Sequence, residues 1–222
     1  MAPLAEALGL NVIKLVRGAT FPSSAQSWCA MASLAGLLGA ASEDAFGAAP
    51  YLAPGRRAIS ASRPVVGLAW QGNPSHKNDA ARSIPLAAFE PLLERKDWRC
   101  VSLQVCDGVE QIAGLSPTAI LGDGPESGGP PFLAATRRVA EMDLVIAIDS
   151  AVAHMAGAMG TPCALLLPPD HRDWRWQDHR TDSPWYEHTR VFRRPRDVRW
   201  PEFIRSIAPD LLTMAHTSKS QC

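Results

Sequence analysis

Short apolar runs recur along this chain, each followed by a segment of different periodicity. Val65 to Trp70 ("VVGLAW"), Leu144 to Ile148 ("LVIAI") and Cys163 to Leu167 ("CALLL") contain no polar residue at alternate positions. A strand with one wet face alternates apolar and polar side chains. A strand that is apolar throughout must be covered on both faces. Between these runs lie stretches with helical spacing: "IPLAAFEPLLERK" (84–96), "PFLAATRRVAEM" (131–142), "SAVAHMAGAMG" (150–160) and "WPEFIRSIAPDLLTMA" (200–215). Further strands are expected at 99–105, 118–122 and 190–194. Strand and helix in alternation predict an α/β fold, an open parallel sheet with flanking helices. In such a sheet, ligands bind beyond the carboxyl ends of the strands, which gives the loops there their interest.

Ahead of this pattern, "APGRRAISASRP" (53–64) reads as a linker or crossing segment. A short strand at Val12 to Val16 and a helix over 30–41 precede it, too little to bury a core of their own. The expected division is residues 1–55, then a main domain over 56–214, then a frayed tail over 215–222. The 222 residues carry a formal net charge of zero, against the basic excess that a nucleic-acid partner requires. The run "RRPRDVRW" from Arg193 is interrupted by proline and aspartate and reads as a solvated turn. The five cysteines show no C-x-x-C spacing and read as reduced, not as a zinc or disulfide framework, with Cys100 and Cys163 as small core residues of expected strands. No run approaches a membrane span, and the start of the chain is not an ordinary signal peptide. A cytoplasmic protein is the expectation.

Three loops fall on the functional edge. "WQGNPSHKNDAARSIP" (70–85) holds Gly72, where backbone can approach a ligand closely, with Asn73, Lys77, Arg82 and Ser83. Lys77 and Arg82 can meet a phosphate. At "DSAVAH" (149–154), Ser150 sits where a helix begins, and the amides of that end suit an anion. Asp149 and Ser150 are also ordinary capping residues, and His154 alone reads as a packed histidine. The third loop, 168–190, contains three of the seven tryptophans. Trp174, Trp176 and Trp185 can stack on a sugar or base, or staple the loop to the domain. The first loop lacks the G-x-G-x-x-G of nicotinamide-binding proteins, and no D-x-D stands at a strand end to hold a metal.

The combination of "DSAVAHMAGAMGTPCALLLP", "VVGLAWQGNPSHKNDAARSIPLAAF", "VSLQ" and "DWRWQDHRTDSPWY" resembles the family-nine glycosyltransferases of the heptosyltransferase type. It is closest to a branch often linked to tetratricopeptide repeats, none of which are visible here. The resemblance runs from about Trp28 to Leu212. It implies the C-terminal, Rossmann-like half of a GT-B fold, binding a nucleotide-diphosphate sugar without cofactor or metal. It places Asp149, Ser150, Ala151 and His154 at the diphosphate, Arg82 and Ser83 near the phosphates, and Gln104 near the base. Most of the N-terminal domain, which in the family holds the acceptor site and usually the catalytic base, has no counterpart. Either a further domain or a second copy would then cover an apolar face left by the first 60 residues, or the domain is a nucleotide- or partner-binding module without activity.

Overall fold

The computed structural model describes residues 50–52, 63–115, 131–171 and 173–220. The chain divides between Gly47 and Ala48 into two units, eight residues before the boundary expected from the linker. All described residues belong to the second unit. The expected strands at 12–16 and 118–122, the helix over 30–41 and most of the linker lie outside the described residues.

Five strands form one sheet: β1 (Val65–Ala69), β2 (Arg99–Ser102), β3 (Leu144–Ile148), β4 (Cys163–Leu167) and β5 (Thr189–Arg193). Their order is β2-β1-β3-β4-β5, and every pairing is parallel. The open parallel α/β sheet is therefore as the alternation of apolar runs predicts. Apart from Arg99 at the start of β2 and Arg190 and Arg193 in β5, the strands are buried throughout, which is why their sequences do not alternate.

Two helical layers cover the two faces. On one face, Val66, Leu68, Leu144, Ile146, Ile148 and Leu166 pack against Leu86, Phe89 and Leu92 and against Phe203, Ile204, Ile207 and Leu211 of the last helix, α5 (Trp200–Ser220). On the other, Val65, Val145, Ala147, Leu165 and Val191 meet Val139 of α3 (Pro131–Ala140) and Ala153, Met155 and Ala156 of α4 (Ala151–Met159). The helix α4 ends at Gly160, whose φ of 70° suits glycine and turns the chain toward β4.

Two elements depart from expectation. The segment 84–96 is not one helix: a 3₁₀ turn over Leu86–Phe89 gives way to a single α turn, α2 (Glu90–Leu93). Pro91 has no N–H to bond back to Ala87, so the ladder cannot run through it, and the helix restarts with proline in its first turn. At the other end, α5 runs past residue 215 to Ser220 instead of fraying. Leu211 and Ala215 are fully buried along its inner face. Past them, His216 Nδ1 lies 2.8 Å from the Leu212 carbonyl and Thr217 donates to that of Thr213 at 3.0 Å. No helix among the described residues is long and apolar enough to cross a membrane.

Candidate functional site

The strand order reverses direction at β1: β2 lies on one side of it and β3 on the other. The carboxyl ends of β1 and β3 therefore flank the switch point where open α/β sheets bind ligands. The loops 70–85 and 149–154 both leave the sheet there.

The first loop is held by one buried carboxylate. A short helix, α1 (Asp79–Arg82), carries Asp79, only 7% exposed. Its Oδ1 accepts from Arg82 Nε at 3.2 Å, and its Oδ2 from the Ser83 hydroxyl at 3.0 Å. Ser83 Oγ in turn accepts the Gly72 amide at 3.0 Å. Arg82 reaches across the switch point and donates from Nη1 to the Asp149 carbonyl at 3.1 Å. The backbone at Gly72 passes directly against this network. A Cβ there would collide with Asp79 Oδ1 and lie 2.5 Å from Arg82 Nη2, so glycine is required by close approach. Asn73 and Lys77 are both exposed, and Asn73 Oδ1 accepts the Ser75 amide at 2.8 Å.

Gln104 sits at this edge, buried, with its amide fully committed. Its oxygen accepts from the amides of Trp70 and Gln71, each at 3.0 Å, and its nitrogen donates to the carbonyls of Gln71 (2.9 Å) and Asp107 (2.8 Å). That is its whole capacity of two acceptor sites and two donors. The position expected near a base is a clamp tying β1 to the loop after β2.

The helix end at α4 has an unusual cap. Ser150 occupies the N-cap position with extended backbone, yet its side chain makes no capping hydrogen bond. The Ala153 amide donates instead to the Ser150 carbonyl at 3.1 Å, and the amides of Ala151 and Val152 are not capped by the serine side chain. Ala151, the first helical residue, is exposed.

Asp149 does not cap the helix either. Its carboxylate turns into the third loop, where Oδ1 accepts from Trp176 Nε1 at 3.0 Å and Oδ2 lies 2.9 Å from His171 Nε2. His154 Nε2 stands 3.7 Å from Oδ1. Burial would raise the Asp149 pKa, but the hydrogen bonds from His171 and Trp176 and the nearby histidine charges outweigh it, and it falls below the usual carboxylate range. For His154, burial lowers the pKa against the pull of Asp149. Its ring stacks on fully buried Trp176, centroids 5.0 Å apart and planes 22° apart, and its Nδ1 lies 3.1 Å from the Tyr186 hydroxyl. Tyr186 lies flat on Gly157 of α4, where a Cβ would come within 2.6 Å of its ring carbons. Trp176 is thus a staple. Trp174 is different: its indole is 57% exposed, with the Arg175 guanidinium 4.8 Å from its ring and Trp185 edge-on at 5.3 Å.

Sequence reasoning singled out Asp149, Ser150, Ala151, His154, Arg82 and Ser83, and the structure gathers all of them at the carboxyl edge of β1 and β3. It missed Asp79, His171 and Tyr186. Tyr186 had a signal in Gly157, since a glycine inside a helix implies a close neighbour. The basic run from Arg193 is engaged within the protein: Arg196 pairs with Asp170, Arg199 with Glu202, and Arg193 donates to the carbonyls of His171 and Gln177. Among the described residues no cluster of His, Cys, Asp or Glu could hold a metal ion.

The sheet order and the site at its reversal define a doubly wound parallel α/β domain. Within that class the fold is similar to part of a solved heptosyltransferase structure. The structure of ADP-heptose LPS heptosyltransferase II from E. coli superposes with a TM-score of 0.53 at 18% identity, over 71% of this chain and 49% of that one. A family-nine glycosyl transferase from Veillonella parvula superposes with a TM-score of 0.49 at 14% identity, over 74% of this chain and 48% of that one. The chain thus spans about half the length of the solved structures it matches. No protein-family model and no curated protein matches its sequence.

Proposed function

We propose that this chain carries the donor-binding half of a heptosyltransferase-like glycosyltransferase, holding a nucleotide-diphosphate sugar across the carboxyl edge of β1 and β3. The observation that carries the reading is the uncapped N-terminus of α4 with Arg82 fixed beside it. Amide dipoles and a guanidinium converge on one place, which suits a diphosphate. Exposed Lys77 adds a charge from the same loop, and exposed Trp174 offers a surface on which a sugar or base can stack. In transfer, an acceptor hydroxyl attacks the anomeric carbon as the bond from that carbon to the diphosphate oxygen breaks. The charge that develops on the departing nucleoside diphosphate is stabilised by the α4 amides and Arg82, an electrostatic role. The donor is a substrate in this reading, and no cofactor takes part. Neither Asp79 nor Asp149 serves as the base, because both carboxylates are already engaged in the loops.

A second reading is favoured by that engagement: a catalytically silent nucleotide- or partner-binding module. Calorimetric titration with ADP, UDP and GDP tests the first. Saturable binding of one of them, weakened about tenfold by Arg82→Ala and measurably by Ser150→Ala, is expected. A folded chain that binds none of the three refutes it. Release of nucleoside diphosphate from the matching sugar nucleotide would eliminate the silent-module reading.

A further inference from the structure

A buried carboxylate beside a proposed diphosphate site is an electrostatic oddity. By charge alone, Asp79 opposes an anion held by its neighbour Arg82. Its geometry points the other way. Both of its oxygens are used, one on Arg82 Nε at 3.2 Å and one on the Ser83 hydroxyl at 3.0 Å, and Ser83 holds the Gly72 amide at 3.0 Å. The side chain of Arg82 is only 17% exposed, and its Nη1 rests on the Asp149 carbonyl at 3.1 Å. The guanidinium is therefore fixed at two points, one on each side of the switch point. That leaves other N–H groups of its fork uncommitted by these bonds.

We infer that Asp79 is a positioning residue for the diphosphate: it strengthens anion binding, despite its charge, by locking Arg82 against the entrance of α4. The inference rests on the donor-binding reading. A long side chain loses rotamer freedom on gripping a ligand, and one already held in place loses less.

Two variants separate position from charge. Asp79→Asn removes the charge and keeps the shape. Asp79→Glu keeps the charge and displaces it by one methylene. The readouts are ADP, UDP and GDP affinity by calorimetry and the exchange protection of the Arg82 Nε–H proton by NMR. We expect both variants to bind the preferred nucleotide about tenfold more weakly, with protection of that proton lost. Unchanged or tighter binding by Asp79→Asn, or wild-type affinity in Asp79→Glu, overturns the inference and leaves the donor-binding reading standing. Weaker binding with the Arg82 proton still protected also overturns it, since Asp79 would then act on the fold at large. If the wild-type chain binds none of the three, both readings fail. Should one variant not fold, the other decides alone by the same two readouts.

Discussion

Gly157→Ala isolates the packing that holds the third loop in place. The position is buried in α4, and helix propensity alone favours alanine by about 1 kcal/mol. Against this, the added Cβ would fall on the Tyr186 ring, 2.6 Å from each Cδ. Overpacking of that kind costs about 1–3 kcal/mol. Displacing the ring also breaks the 3.1 Å contact between the Tyr186 hydroxyl and His154, about 1 kcal/mol more. The net expectation is a loss of about 1–3 kcal/mol, read as a lower urea midpoint at constant slope. The sign should reverse when the ring is absent. In a Tyr186→Ala background the clash vanishes, and Gly157→Ala should stabilise by up to about 1 kcal/mol. Because Tyr186→Ala itself costs about 3–5 kcal/mol, that pair is compared in a stabilising osmolyte. A neutral or stabilising Gly157→Ala in the wild-type background would refute the reasoning, as would an equal loss in both.

Asp149→Asn should destabilise by about 1.5–3 kcal/mol through its weakened bonds to His171 and Trp176. It should also raise the fluorescence change of Trp176 at lower denaturant, and a wild-type midpoint would contradict the arrangement. The Asp149 pKa is depressed in the folded state, so its contribution is present above the unfolded carboxylate value and is lost as pH falls through the folded one. His154 is also depressed, so acidification below its ordinary 6.5 favours the unfolded chain. Stability measured from pH 7 to pH 2 should therefore decline in two steps, an upper one from His154 that His154→Gln removes and a lower one, below the unfolded carboxylate value, from Asp149. Burial pushes the thiols of Cys100 and Cys163 up to about 12. Alkylation mapped by mass spectrometry should accordingly find exposed Cys106 modified in the native chain while those two react only on unfolding.

The layered sheet was readable because its strands are buried on both faces and their sequences say so without ambiguity. The α4 boundaries were readable as well, from Ser150 before the helix and the Gly160-to-Pro162 exit after it. What could not be read was direction within the loops. Asp79 is one acidic residue in a polar stretch, and only the folded loop turns it inward onto Arg82 and Ser83. Gln104 stands at the end of a strand where a ligand contact is reasonable, yet periodicity says nothing of where an amide points. His171 and Tyr186 meet Asp149 and His154 only because the 168–190 loop folds back over α4. Pro91 was visible, but the apolar spacing around it outweighed the missing N–H. The register of a strand is written in its neighbours, whereas a loop contact depends on segments far away in sequence.

Asp149 belongs to two loops at once: its carbonyl is held by Arg82 from the first and its carboxylate by His171 and Trp176 from the third. Their opening equilibria are therefore thermodynamically linked through one residue. In the donor-binding reading, a ligand that immobilises Arg82 should therefore make opening of the aromatic loop rarer, and opening of that loop should weaken the ligand by the same coupling free energy.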